Sequence, residues 1–475
     1  MFKIHAALVA AVIALGMPQL SHATVDTELQ SIREEIKQLK QSYETRIEEL
    51  EKRLHDAEIK AAQAEASATQ ANASAAQAQT AVVTASARPA SESAFNPAVS
   101  VVLQGTYNNF SQNPNTFQIG GFIPPGNEGV GDRGFSLGES ELNIAANIDP
   151  YFRGNLTVSL SPNNSVELEE AWFQTLGLSN GFTLKGGRFF SGVGYLNDIH
   201  QHAWDFVDAP LAYQVFLGTG PRGNYSDDGL QLKWIAPTDL FIELGAEAGN
   251  GNNFPGNGDK NGIGTWSLFS HVGGDIGDSY AYRAGISYLQ AWPSDRQYND
   301  FDSVGNPVTN SFSGNSRLWI ADFVLKWAPN GNSTSTNFKL QGEYMHRIET
   351  GILDFNVNSA LPVPGTYSSH QGGWYLQGIY QFAPRWRAGL RHDQLEAGTV
   401  NIGQVQNGIL PASDFPILKS YTPKRNTLML DYSPSEFSRF RLQYARDQSR
   451  PDGVDDNELM LQYIFSMGAH GAHKF

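Results

Sequence analysis

ESELNIAANI, residues 139–148, alternates cleanly: Leu142, Ile144, Ala146 and Ile148 fall on one face, and Glu139, Glu141, Asn143 and Asn147 on the other. A period of two is that of a strand with one apolar and one polar side. The stretch 280–289 repeats it, with Tyr280, Tyr282, Ala284, Ile286 and Tyr288 set against Arg283 and Ser287. Outward from these two, sixteen such segments run from Val99–Tyr107 to Leu459–Met467. Segments 167–176 and 267–272 alternate too poorly for their faces to be assigned. The connections alternate in length. Those at 149–150, 177–181, 236–239, 273–278, 328–336, 383–385 and 433–435 are short, and most others are Gly/Asn/Asp-rich and exceed about 15 residues. An even number of strands with short turns at one end and long loops at the other is the pattern of a membrane-spanning barrel. The expected fold class is therefore an all-β transmembrane barrel of about 16 antiparallel strands. A soluble sandwich would not hang its long loops on one end only.

Upstream the period changes. Lys3, the apolar run 6–17 and Ser21-His22-Ala23 form a secretory signal, so residues 1–23 are expected to be removed. Leu29, Ile32, Ile36, Leu39 and Tyr43 then fall at heptad spacing. The register jumps by four and resumes at Ile47, Leu50 and Leu54, passing into an alanine seam that ends at Ala78. That is a coiled coil with a stutter, over residues 24–85. Residues 86–97 are a Pro-bounded linker, and 98–475 the barrel. An even-stranded barrel puts both its ends, and hence the stalk, in the periplasm, where contact with peptidoglycan is possible. The chain has no Cys, which excludes disulfides, thiolate chemistry and a lipid-anchored N-terminus. Its net charge of −15 argues against a nucleic-acid partner. Neither a cofactor motif nor a local nucleophile motif is present, and the protein is expected not to be an enzyme.

The stretch 138–160 followed by 166–197 resembles the early strands of the phosphate-selective porin family. Glu169-Glu170-Ala171-Trp172 and Gly187-Arg188-Phe189 match that family's acidic strand and its Gly-Arg-Phe strand. The coiled coil is similar to that of sugar porins with a periplasmic helical extension. Tyr463, Phe465 and Met467 alternate down to Phe475, resembling the aromatic terminus that the barrel-assembly machinery reads in outer-membrane proteins. These resemblances imply an outer-membrane porin, a homotrimer in contact with lipid, passing small hydrophilic solutes or ions by diffusion. They also imply that the loop Ser191–Asp228 folds into the lumen as a constriction, carrying Asp198, His200, His202, Asp205 and Asp208.

Alternation places Arg387, Arg391, Arg439 and Arg441 inside, with Lys326, Lys339 and Arg347 pointing the same way. A charge facing lipid costs about 2–4 kcal/mol at mid-membrane, so these groups face water or protein. Glu139, Glu141, Glu243, Glu247, Asp322, Glu343 and Asp431 are also inward. Two readings follow: an electrostatic filter, or structural ion pairs. His200 and His202, spaced HxH beside Asp198 and Asp205, are candidate metal ligands, since imidazole suits zinc, copper or nickel. Two further functions stay open, uptake of a metal ion or metal chelate and a tether between outer membrane and cell wall.

Overall fold

The computed structural model describes residues 97–468 apart from 161–164, 222 and 258–260, together with 34, 37, 39–42 and 44–55. The expected signal peptide, the alanine-rich half of the stalk, the linker up to residue 96, and the terminal segment 469–475 lie outside the described residues. The chain divides into two compact units, Met1–Ala94 and Phe95–Phe475. In the first, residues 44–55 are helical. Ile47, Leu50 and Leu54, at heptad spacing, are 54%, 57% and 62% exposed there.

The second unit is one ring of antiparallel strands. In chain order they are β1 (Ala98–Phe110), β2 (Gly134–Ser136), β3 (Ser140–Asn147), β4 (Phe152–Leu160), β5 (Val166–Thr175) and β6 (Phe182–Phe190). Then come β7 (Ser226–Ile235), β8 (Phe241–Gly249), β9 (Thr265–Ile276), β10 (Tyr280–Ala291), β11 (Arg296–Phe301) and β12 (Pro307–Trp327). The last are β13 (Asn337–Phe355), β14 (Val363–Ala383), β15 (Trp386–Ile402), β16 (Lys424–Ser435), β17 (Ser438–Gln448) and β18 (Asp456–Gly468). β18 returns to β1, from Ser100 opposite Gly468 to Phe110 opposite Glu458, so the ring is closed and has no free edge. β2 and β3 both lie along β1, and β10 and β11 both along β12. Each couple is one wall strand broken once, which makes sixteen. All sixteen sequence segments fall on these strands, to within a residue at their ends.

The outer face is apolar. On β16, Leu428 and Leu430 point out while Thr427, Met429 and Asp431 are buried inside. Aromatic side chains collect at two heights. Near the short turns, Trp386 stacks beside Tyr432 and Phe440 beside Tyr463, with ring centroids 4.7 and 4.6 Å apart. Toward the other end, Tyr288 touches both Trp266 and Trp319, at 5.1 and 4.7 Å. From Tyr280 to Tyr288 the rise along the strand is about 26 Å. With barrel strands tilted by about 35–45°, that makes an apolar band about 20 Å tall between aromatic girdles, close to the roughly 25 Å band of an outer-membrane barrel.

The loop end departs from the sequence reading. β12 to β15 run 21, 19, 21 and 17 residues, where about 9–11 suffice to cross a membrane. Much of what read as loop between residues 290 and 427 is therefore strand. Outside the membrane neither face must be apolar, and Gln297, Asn299, Asn310 and Ser311 pair in register without an alternating signal.

Inside, three connections fold back into the ring. Residues 111–133 bring Phe117, Ile119 and Phe122; the loop Ser191–Asp228 brings Val193, Leu196, Trp204 and the helix Leu211–Leu217. They meet inward-facing Leu289, Leu318, Ile320, Met345 and Leu395 in one apolar core. Residues 403–423 add a second core through Phe415, Ile417 and Leu418. Every residue of the helix is buried.

Candidate functional site

The loop Ser191–Asp228 is fixed at both chemical and steric points. Glu343 on β13 accepts from the backbone N–H of Tyr195 and Leu196 at 3.0 and 3.2 Å, and from the phenols of Tyr213 and Tyr375 at 2.8 and 2.6 Å. Burial, then the Glu343 charge, push the Tyr213 phenol well above its usual range. Gly194, at φ +70°, passes so close that a Cβ would stand 2.5 Å from Glu343 Oε2 and 2.7 Å from Tyr213 Oη. Glu247 takes the Gly192 N–H at 2.9 Å and the Ser191 hydroxyl. Glu243 instead pairs with Lys233 at 2.8 Å and His271 at 3.1 Å.

On one side the loop presses its acids against basic residues of the wall. Asp205 lies 2.9 Å from Lys339 Nζ and 3.0 Å from Arg387 Nη1, and Arg387 also grips Asp431 through Nε at 3.0 Å and Nη2 at 2.5 Å. Asp208 lies 2.9 Å from Arg391 Nη2 and 2.7 Å from Arg425 Nη2. Burial disfavours the charge on both acids, yet the adjoining Lys339 and Arg387, or Arg391 and Arg425, hold them below the usual carboxylate range. Arg441 donates to the Trp204 carbonyl at 2.8 Å, and Arg439 to the same oxygen at 3.4 Å. Arg391 and Arg441 are closed off, whereas Arg387 and Arg439 keep partial exposure. Lys326 is half-buried opposite Lys339 in the β12–β13 register. Arg425 escaped the sequence reading, because its strand seemed to begin at Leu428; Thr427 and Met429 continue its inward row.

On the other side the loop meets carboxylates of β3 and β5. His202 Nδ1 is 2.9 Å from Glu141 Oε1. His200 Nδ1 is 3.3 Å from Glu141 Oε2 and 3.5 Å from Glu169 Oε2, while its Nε2 is 3.2 Å from Glu170 Oε2. Burial opposes a charged His200, but the Glu141 carboxylate beside it, with Glu169 and Glu170, raises its pKa well above the ordinary imidazole value. Glu169 and Glu170 are consecutive yet both buried inward, which strict alternation forbids. The cause is a bulge: Thr157 pairs with Glu170 and Val158 with Leu168, leaving Glu169 unpaired on the ladder. The same bulge explains why this segment's faces could not be assigned from sequence. Glu139 lies within the same group of carboxylates. Asp198, half-buried, is the remaining acid of the expected set.

Polar space remains on this second side. A cavity of about 500 Å³ is bounded by Asn108, Glu128, Asp132, Glu139, Glu167 and Gln201, among others. Another of about 450 Å³ is bounded by Glu167, Glu169, Arg188, Asn224 and Asn253, among others. Arg188 is already paired with Asp228, at 2.7 and 2.9 Å.

A closed sixteen-strand antiparallel barrel, filled from one end by its own loops, is the class that fold and site define. No family model matches the chain. A protein of Aquifex aeolicus described as uncharacterized is 31% identical over 416 residues, which cover 82% of this chain and 81% of that one; the chain belongs to the same family. Among solved structures, a loop-deleted OmpT, an outer membrane protein of Vibrio cholerae, is 11% identical at a TM-score of 0.46, covering 78% of this chain and 99% of its own. Pseudomonas putida OprB is 16% identical at 0.45, covering 78% and 94%. An anion-selective porin from Comamonas acidovorans is 8% identical at 0.46, covering 78% and 99%.

Proposed function

We propose that this chain is an outer-membrane channel that passes small hydrophilic solutes or ions by diffusion, with a preference for cations. One observation carries the preference: the inserted loop covers the basic wall, and the charged groups that border the polar space left in the lumen are carboxylates, apart from Arg188, which is paired with Asp228. Asp205 and Asp208, together with Asp431 and Asp393 of the wall, balance Lys339, Arg387, Arg391 and Arg425 on contact, so those cations add little field to the passage. Rings of acidic side chains raise the local concentration of cations and admit them over anions. The apolar band between aromatic girdles supports placement in the outer membrane, with the short turns toward the periplasm. The loop Ser191–Asp228 acts as the constriction. The reading departs from the phosphate preference of the family that the early strands resemble, because the open side is acidic. Reversal potentials of the purified protein in planar bilayers under a salt gradient test it. A potential of the sign set by cation flow is expected, larger at low salt. A potential set by anion flow would reverse the selectivity, and a folded protein without conductance would favour the tether.

A further inference from the structure

We propose that Glu141, Glu169, His200 and His202 form a binding site for one divalent transition-metal ion of the zinc, cobalt or nickel class.

The argument starts from His200. Its Nε2 faces Glu170 Oε2 at 3.2 Å, and Glu170 is itself held through Oε1 by the Trp172 indole N–H at 3.2 Å and the Phe190 N–H at 3.3 Å. An acceptor so fixed keeps a proton on Nε2, so that Nδ1, on giving up its own proton to an incoming metal ion, turns a lone pair toward Glu141 and Glu169. A carboxylate that orients a histidine through its far nitrogen is the usual support of a metal-bound imidazole. Nδ1 then stands among carboxylate oxygens at 3.3 and 3.5 Å without a hydrogen bond to either. Three acceptors share that spot only with a positive charge between them, which either a proton on Nδ1 or a metal ion supplies.

Glu169 supplies the second, independent sign. Its side chain is 4% exposed, and its Oε1 is buried with no hydrogen-bond partner. A buried, unpaired carboxylate oxygen costs free energy that a ligand would recover. The bulge in β5 turns this oxygen into the lumen, beside Glu139 and Glu141. Gly223, at φ +111°, borders the same spot: a Cβ there would lie 4.0 Å from Glu169 Oε1.

The spacing also fits. Donors about 2.0–2.2 Å from a tetrahedral ion stand roughly 3.3 Å from one another. One ligand atom each of Glu141, His200 and His202 lie within 4.8 Å of one another, with nitrogen–oxygen separations of 2.9 and 3.3 Å, and Glu169 Oε2 stands 3.5 Å from His200 Nδ1, so closing them round an ion needs only side-chain adjustment. Two imidazoles with carboxylates select a borderline transition metal over calcium or magnesium, which take oxygen alone. Entry is open, since the two polar cavities reach Glu139 on one side of the group and Glu169 on the other.

The test is equilibrium binding of cobalt(II) to the full chain in detergent after dialysis against EDTA. Visible absorption bands saturating at one equivalent, and bleached by zinc, are expected. Replacing both His200 and His202 by Ala should weaken binding at least 100-fold. Glu170→Gln should weaken it about 10–100-fold at unchanged stoichiometry, by loosening His200. Heat-modifiable electrophoretic mobility checks that each variant is folded. Replacing His470 and His473 by Ala gives the control for the other histidine pair. A folded wild type that takes up no stoichiometric cobalt, or binding that survives in the double His variant, would overturn the site in favour of protons holding these groups together. Equal affinity in Glu170→Gln would overturn Nδ1 as the ligand atom. The readout needs no conduction, so it and the channel reading can fail separately.

Discussion

At the level of single residues, the lumen is governed by charges that are buried and paired. Asp208 illustrates the consequence. It sits between Arg391 and Arg425, and Gln443 also donates to it, at 2.5 Å. A buried pair adds little net stability over an apolar isostere, yet removing one member strands the other at a cost of about 3–5 kcal/mol. Asp208→Ala should therefore loosen the loop against the wall by that order while the barrel stays closed. Limited proteolysis within residues 198–224, together with thermal unfolding, measures it; a variant as resistant as wild type would show that the two arginines find other partners. Gly194 makes a steric counterpart. Any side chain there must displace Glu343 or Tyr213, so Gly194→Ala should free the same loop without removing a charged side chain.

At the level of elements, the decisive piece is the loop Ser191–Asp228 with its buried helix. Replacing residues 198–223 by a short Gly-Ser linker removes the helix, Asp205, Asp208 and both histidines at once. Single-channel conductance should then rise several-fold, and an unchanged conductance in a folded variant would place the limiting section elsewhere. The loop was legible in the sequence because LNDIHQHAWDFVDAPLAY carries apolar residues that a solvated loop would not. Its company was not. Residues 111–133 and 403–423 also fold inward, but their Gly, Asn and Pro content reads as solvated turn, and Phe117, Phe122 and Phe415 have no periodicity to give them away. Strand positions were readable wherever lipid demands one apolar face. Reading stopped where that demand stops, as in the long ends of β12 to β15. It also blurred where the inner face is apolar too, as at Leu318-Trp319-Ile320, with Trp319 outward and its neighbours in the core. Which charges meet could not be read, since Asp208 and Arg425 are brought together only by a fold that spans most of the barrel.

At the scale of the whole molecule, the N-terminal seam asks for partners. Ile47, Leu50 and Leu54 expose about half or more of their surface. Their heptad spacing fits a coiled coil between copies, and a trimer is the arrangement we propose. Native mass measurement in detergent should give three chains for the full protein. Without residues 24–97 the trimer should weaken or dissociate; monomers in both cases would sink the proposal.

The seam between β1 and β18 adds a constraint in time. β1 is the first wall strand to be synthesised and β18 the last, and the ring cannot shut until Gly468 reaches Ser100. Until then the growing chain exposes two unsatisfied borders, each able to pair with any neighbouring chain. A stop codon just before Asp456 would remove only a small fraction of the polypeptide, but it would leave β1 and β17 as permanent borders. Loss of the final dozen wall residues should thus be as damaging as loss of half the barrel, and the cell must keep each chain escorted until its last strand arrives.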